Sequence, residues 1–310
     1  MENDATEQAR AALKFVPAFA GLDPNRVEIE RLGGLTNLVF RVSYAGDNWC
    51  LRLPGAGTEE YIDRAVEAVA AREAARAGVS PPLIFSDPES GIMVTRFVEG
   101  AETMTGDLFR SRPCAPARAG EAFRKLHSSD AKFDFVFELF SMVDGYLGIL
   151  AGKTIDLPDG YHDVLKEAES VRRALQAAPA EITACHCDPL AENFLDTGER
   201  MWIVDWEYSG MNDPMWDLGD LSVEAGFDDA QDEEMIRAYF GDEPRPGERG
   251  RIVIYKAMCD LLWTLWGLIQ HANGNPAEDF WAYSTGRFAR CKTLMATPEF
   301  NRHVAAVAAG

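Results

Sequence analysis

The chain has 310 residues, 47% of them hydrophobic, and sets 50 Asp and Glu against 30 Lys and Arg for a formal net charge of −20. That length supports a sizeable packed interior and leads us to expect two lobes. So negative a surface repels phosphate backbones and anionic lipid, which argues against nucleic acid or membrane as partners.

In chain order, Met1–Gln8 is polar and acidic, unlike a secretory leader. An amphipathic helix is expected over Glu7–Phe19, then strands at Val27–Arg31, Val39–Tyr44 and Trp49–Leu53, separated by Gly33-Gly34 and Ala45-Gly46-Asp47. A helix over Tyr61–Ala77 should close on Gly78. Strands Leu83–Phe85 and Ile92–Phe97 follow, around the turn Asp87–Gly91. Val98–Thr105, with Gly100 and no clear period, reads as a hinge. Beyond it helices dominate: Ala117–Ser128, Gly160–Ala177, Asp232–Tyr239, Arg251–Asn273 and Glu278–Ala296. Only Asn193–Leu195 and Met201–Asp205 read as strands there, joined by the turn Asp196–Glu199. The expected class is α+β, an antiparallel sheet lobe over residues 1–98 and a larger, mainly helical lobe over 99–310.

No apolar run approaches the roughly 20 residues that span a bilayer. The six cysteines (Cys50, Cys114, Cys185, Cys187, Cys259, Cys291) form no CxxC pair, as expected for reduced thiols in the cytoplasm. Cys185-His186-Cys187 is not expected to bind zinc. Neighbours along one strand point to opposite faces, and no second ligand cluster accompanies them.

The chemistry concentrates between His186 and Asp220. His186-x-Asp188-x4-Asn193, followed by Asp205 at a strand end, supplies what phosphoryl transfer from ATP requires. Asp188 would hold an acceptor hydroxyl and take its proton. The Asn193 amide and the Asp205 carboxylate offer hard oxygens to magnesium, and the hairpin between them would bring the two together. His186 reads as a loop organiser.

This segment resembles the catalytic core of the choline/ethanolamine kinase family, within the wider group that includes aminoglycoside phosphotransferases. The resemblance implies a two-lobed protein-kinase-like fold, ATP and Mg2+ as cofactors, Asp188 as catalytic base, and Asn193 and Asp205 as magnesium ligands. It implies a structural role for Asp217. Cys187 stands where protein kinases carry arginine, and Asp205-Trp206-Glu207 replaces Asp-Phe-Gly; neither departure weakens phosphoryl transfer.

On the nucleotide side, Gly33-Gly34-Leu35-Thr36-Asn37 within LGGLTNLVFRV resembles the family's phosphate loop. Consecutive glycines let backbone N–H groups approach phosphate, and Thr36 and Asn37 add side-chain donors. Arg52 on the third strand, alternating with Leu51 and Leu53, is expected to clamp phosphate. A helix carboxylate should orient it: Glu67 is the better family match and Glu73 the alternative. Family architecture places adenine against backbone groups around Arg96, Phe97 and Val98.

On the acceptor side, a quaternary ammonium donates no hydrogen bond and is held by aromatic faces and a nearby negative charge. Trp263 and Trp266 lie on one helix face. Residue by residue, the resemblance places Tyr208, Glu224, Trp263, Trp266 and Tyr283 around the amine, with Phe227 as a further wall. Choline is the leading acceptor. Ethanolamine, an aminoglycoside, or a non-catalytic regulator binding choline or nucleotide remain alternatives, and oligomeric state stays open.

Overall fold

The computed structural model describes residues 2–33, 37–55 and 62–310. The first helix, α1, spans Glu2–Ala12 and gives way to 3-10 turns at Leu13–Phe15 and Pro17–Phe19. It stops short of Phe19 because Pro17 lacks an N–H and forces Val16 into extended backbone (φ −91°, ψ 109°). Strands β1 (Glu28–Gly33), β2 (Leu38–Tyr44) and β3 (Asp47–Leu53) follow as a meander. Helix α2 (Arg64–Ala77) begins after Asp63, whose carboxylate caps the Ala65 and Val66 N–H groups, and ends at Gly78 with φ +72°.

Strands β4 (Leu83–Ser86) and β5 (Met93–Arg96) complete an antiparallel sheet of order β1-β2-β3-β5-β4. Arg52 therefore lies on a central strand, between Val39 and Met93. One face of this sheet packs on α1 and the 3-10 turns through Phe40, Val42, Leu51 and Val94 against Ala9, Val16 and Phe19. Helix α2 turns the other way: Ala70, Ala71 and Ala74 belong to the larger core that runs through the rest of the chain.

After Gly100 (φ +69°) the expected hinge continues as a short strand, β6 (Glu102–Thr103). Helices α3 (Gly106–Ser111), α4 (Ala115–His127), α5 (Leu139–Ala151), α6 (Tyr161–Glu167) and α7 (Glu169–Ala177) come next. The last two replace one expected helix, with Ala168 flattening the turn between them (ψ −12°). Strand β7 (Thr183–Cys185) pairs with β10 (Gly210–Asn212), and β8 (Phe194–Asp196) joins β6 to β9 (Met201–Ile203). Helices α8 (Met215–Glu224), α9 (Asp229–Phe240), α10 (Pro246–Ala272), α11 (Phe280–Met295) and α12 (Pro298–Ala309) finish the chain.

Helix α10 is the central support, packed by α5, α8, α11 and α12. It starts five residues before the expected Arg251 because Pro246 sits at its first turn, where a missing N–H costs nothing. It also corrects the expectation about apolar length. By length and composition α10 could cross a bilayer, yet 83% of its most apolar window is buried inside the protein, as befits a core helix. The whole is α+β, an antiparallel sheet lobe followed by a helical region.

Candidate functional site

The chain leaves β7 through His186 and Cys187, and Cys187 takes a left-handed conformation (φ +68°) that side-chain-bearing residues rarely adopt. Several bonds hold it there. Asp217, fully buried in the first turn of α8, accepts the His186 N–H at 2.7 Å and the Cys187 N–H at 2.8 Å. Trp216 Nε1 donates to the Cys187 carbonyl at 3.0 Å, and Ser209 Oγ to that of His186 at 3.0 Å. His127 reaches in from α4, with Nε2 3.0 Å from Asp217 and Nδ1 3.0 Å from the Tyr239 hydroxyl. These contacts fix the backbone that presents Asp188.

His127, Cys185 and Asp217 together form a cluster of metal-capable side chains. Their donors are spent on one another and on the loop, and Cys185 Sγ donates to the Asn212 carbonyl at 3.5 Å. The strand ends at Cys185, so His186 and Cys187 are not strand neighbours as expected. His186 Nε2 donates to the Val204 carbonyl at 2.9 Å, and burial lowers its pKa, which keeps a neutral ring bracing the loop.

Register does the rest. Phe194 pairs with Ile203, and the Val204 N–H donates to the Asn193 carbonyl at 2.9 Å, returning Asp205 beside Asn193. Asn193 Nδ2 donates to the Asp188 carbonyl at 3.0 Å, which turns the amide oxygen away from the loop. Asp205, two residues beyond the strand end, is also left-handed (φ +66°). Burial and the charges of Glu224, Asp205 and Glu207 push the Asp188 carboxyl well above its ordinary range, with Arg287 opposing.

Around Asp205 lies a cluster of acids and guanidiniums. Arg52, 8% exposed, donates through Nη1 to Asp205 Oδ1 at 2.7 Å and through Nη2 to Glu67. Arg64 bridges Glu67 at 2.8 Å and Glu207 at 3.2 Å, and Asn37 Nδ2 donates to Glu207 at 3.1 Å. Glu67 is therefore the partner of Arg52; Glu73 pairs with Arg76 at 2.8 Å on the outside of α2. Burial raises the Asp205 pKa, with Arg52 lowering it and Glu67 raising it. Glu207 is pushed up to about 7 by burial and then by Asp205, against the pull of Arg52.

Carboxylate oxygens of Glu67, Asp205 and Glu207 lie within 4.8 Å of one another. Three carboxylates so close together are the hard oxygen donors that suit a divalent cation such as magnesium. In the phosphate loop, Gly33 ends β1 and Asn37 is buried, whereas Gly34, Leu35 and Thr36 lie outside the described residues.

At the hinge, two of the backbone donors are already in use. The Arg96 N–H is spent on the Pro82 carbonyl at 2.9 Å and the Phe97 N–H on that of Asn48 at 3.2 Å. The Arg96 side chain lies over Trp49 and pairs with Asp47 at 3.0 Å, away from the acid cluster. Sheet pairing has claimed these donors; among the described hydrogen bonds, the Val98 N–H takes none.

Helices α8, α10 and α11 converge on the other side of Asp188. Tyr208 is the joint: its ring meets Trp263 edge-on at 5.4 Å, and its hydroxyl accepts the Trp266 indole N–H at 2.9 Å. Trp266 meets Tyr283 at 5.8 Å and Phe280 at 5.6 Å. One face of Tyr283 carries the Arg287 guanidinium at 4.5 Å, and Arg287 also grips Glu224. All five expected acceptor residues gather here. Among the described ring contacts, Phe227 meets Phe109 at 5.4 Å.

Sequence reasoning missed Arg64, Glu207, Phe280, Asp220 and His127. Glu207, two residues past Asp205, and Asp220, one helical turn before Glu224, were the readable signals. The reach of His127 and Phe280 depends on tertiary packing and leaves no local trace.

Residues 28–249 match the phosphotransferase enzyme family. The crystal structure of a choline/ethanolamine kinase family protein from Mesorhizobium loti is 66% identical, with a TM-score of 0.90, over 99% of this chain and 100% of that one. Choline kinase LicA from Streptococcus pneumoniae is 26% identical with a TM-score of 0.77, over 94% of this chain and 99% of its own. A probable ethanolamine kinase of Arabidopsis thaliana is 26% identical over 290 residues, 83% of this chain and 76% of its own.

Proposed function

Because the chain belongs to the phosphotransferase enzyme family, and within it to the choline/ethanolamine kinases, we propose that this ATP-dependent kinase phosphorylates the hydroxyl of choline. One observation carries the choice of acceptor. Tyr208, Trp263, Trp266 and Tyr283 form one contiguous aromatic group, and Glu224 joins it through the Arg287 guanidinium that lies over Tyr283. Aromatic faces and a carboxylate are what a quaternary ammonium needs, since it has no proton to share.

In this reading Asp188 receives the hydroxyl proton, helped by a raised affinity for protons. Arg52, oriented by Glu67, takes phosphate oxygens. Asn193 and Asp205 would hold magnesium, which neutralises phosphate charge when bound. The nucleotide would lie against Val98, near a boundary between the lobes at residues 98 and 99. A cytoplasmic location accords with six free cysteines.

Ethanolamine is the second reading, favoured by the carboxylates of Glu224 and Asp220, since a primary ammonium seeks hydrogen-bond acceptors. ATP consumption measured side by side with choline, ethanolamine and an aminoglycoside tests both. Choline should give the highest kcat/KM. A higher value for ethanolamine selects the second reading, and turnover of the aminoglycoside alone, or of none, rejects both.

A further inference from the structure

Asp220 and Glu224 stand one turn apart on α8 and face α10 and α11, but their surroundings differ. Glu224 is paired with Arg287, and Arg287 also reaches Asp260 at 3.1 Å, which Arg290 holds at 2.7 Å and 3.0 Å. Asp220 makes no ion pair among the described residues, although the Arg287 charge acts on it. It is fully buried; its Oδ2 accepts the Trp263 indole N–H at 3.3 Å, and its Oδ1 has no hydrogen-bond partner among the described atoms.

The groups facing it come from every packed element. Glu224 lies on its own helix, Cys187 and Asp188 on the catalytic loop, Cys259 and Trp263 on α10, and Tyr283 and Arg287 on α11. Four carboxylates (Asp188, Asp220, Glu224, Asp260) thus share two guanidiniums. A buried carboxylate without a cation is costly as an anion and is relieved by a proton or by an incoming positive charge.

We propose that Asp220 is a specificity-determining residue of the acceptor site, protonated while the site is empty and ionised when a cationic head group enters. The inference rests on the acceptor reading above. The carboxyl O–H bond breaks, the proton passes to solvent water, and the new carboxylate charge is balanced by the ammonium. The residue acts through Trp263: an ionised carboxylate accepting the indole N–H makes the ring face more negative and the cation–π contact stronger. A quaternary ammonium brings charge but no proton, so the exchange shows as net proton release. Burial and the nearby Glu224 and Asp188 charges, which push the Asp220 carboxyl well above its ordinary range, agree with this state.

Titration calorimetry of the full chain with choline, in buffers of differing ionisation enthalpy across roughly pH 5 to 9, tests it. Wild type should release close to one proton per choline, with affinity rising up to about tenfold per pH unit where release occurs. Asp220→Asn keeps an indole acceptor and should abolish release and flatten the pH dependence, with ATP KM and melting temperature close to wild type. Asp188→Asn should keep the release, which separates the two carboxylates. The uncharged carbon isostere 3,3-dimethylbutanol should release none from any variant.

Release that persists in Asp220→Asn, or disappears only in Asp188→Asn, overturns the proposal. The wild-type titration stands without any variant. Choline that binds and is phosphorylated without proton release sinks this inference alone. Choline that neither binds nor turns over sinks the acceptor reading with it.

Discussion

Arg52 Nη1 donates to Asp205 Oδ1 at 2.7 Å while Nη2 is held by Glu67, so one guanidinium ties β3, α2 and the loop after β9 together. Both arms of the fork are in use, and a lysine ammonium cannot reproduce that geometry. Arg52→Lys should therefore lose about one charge-assisted hydrogen bond, ~1.5–3 kcal/mol, or roughly tenfold to 100-fold in affinity for ATP. Steady-state kinetics with ATP varied should show that rise, with choline KM unchanged. An unaltered ATP KM would remove Arg52 from the phosphate site.

Asp188 is presented by a strained loop and sits among carboxylates that favour its protonation. Asp188→Ala should lower kcat by about 10²–10⁴-fold, the usual worth of a positioned general base, with nucleotide still bound. Equilibrium binding of an ATP analogue and single-turnover rates separate the two effects. Near-normal turnover would dismiss the role.

The β8–β9 hairpin was legible because it is local. Asn193 and Asp205 are brought together by one β-turn, and the turn residues stand in the chain between them. Helices α5 and α8 were not, since Gly145 and Gly148 interrupt the first and Gly219 the second, breaking the apolar period. The aromatic group was readable only by resemblance. Its contacts join residues 58 apart at Trp266 and Tyr208, and Phe280 joins it through a packing of α10 on α11 that no spacing encodes. Around Arg96 and Phe97, strand register decides which backbone donors remain, and that depends on pairing across the sheet.

Trp266 does two things, offering a ring face beside Tyr283 and donating to the Tyr208 hydroxyl at 2.9 Å. A desolvated cation–π contact is worth about 2 kcal/mol, so Trp266→Ala or Trp263→Ala should raise choline KM roughly 30-fold and leave ATP KM alone. Trp266→Phe keeps a face and loses the hydrogen bond, so its rise should be smaller. Equal effects of the Phe and Ala changes would mean that the hydrogen bond to Tyr208, not the ring face, matters here.

Gly267 sets the spacing of α10 and α11. A Cβ there would lie 2.3 Å from Ser284 Oγ and 2.6 Å from Tyr283 Cδ1, closer than atoms can pack. Gly267→Ala must push α11 outward and carry Tyr283 away from Trp266. The cost should be ~1–3 kcal/mol of stability, typical of overpacking, with choline KM raised and ATP KM kept. Melting temperature and both KM values measured together check this. A stable variant with unchanged choline KM would show that Tyr283 does not contribute.

Asp196 anchors the β8–β9 hairpin from below. It is fully buried, with Arg118 forked onto both oxygens at 2.8 Å and 2.5 Å, Arg112 at 2.5 Å, and the Gly198 N–H at 2.9 Å. Burial alone would raise its pKa. The hydrogen bonds from Arg118 and Gly198, with the Arg118 and Arg112 charges, outweigh that and hold it below the ordinary 3.8. A folded pKa below the unfolded one gives stability that is complete above about pH 4 and lost as pH falls through the folded pKa. Asp196→Asn should cost ~3–5 kcal/mol at neutral pH by leaving the buried Arg118 guanidinium without its carboxylate. Urea unfolding followed down in pH should show the gap between wild type and variant holding steady, then narrowing below 3.8. A gap that stays constant into strong acid would mean that the carboxylate charge does not anchor the hairpin.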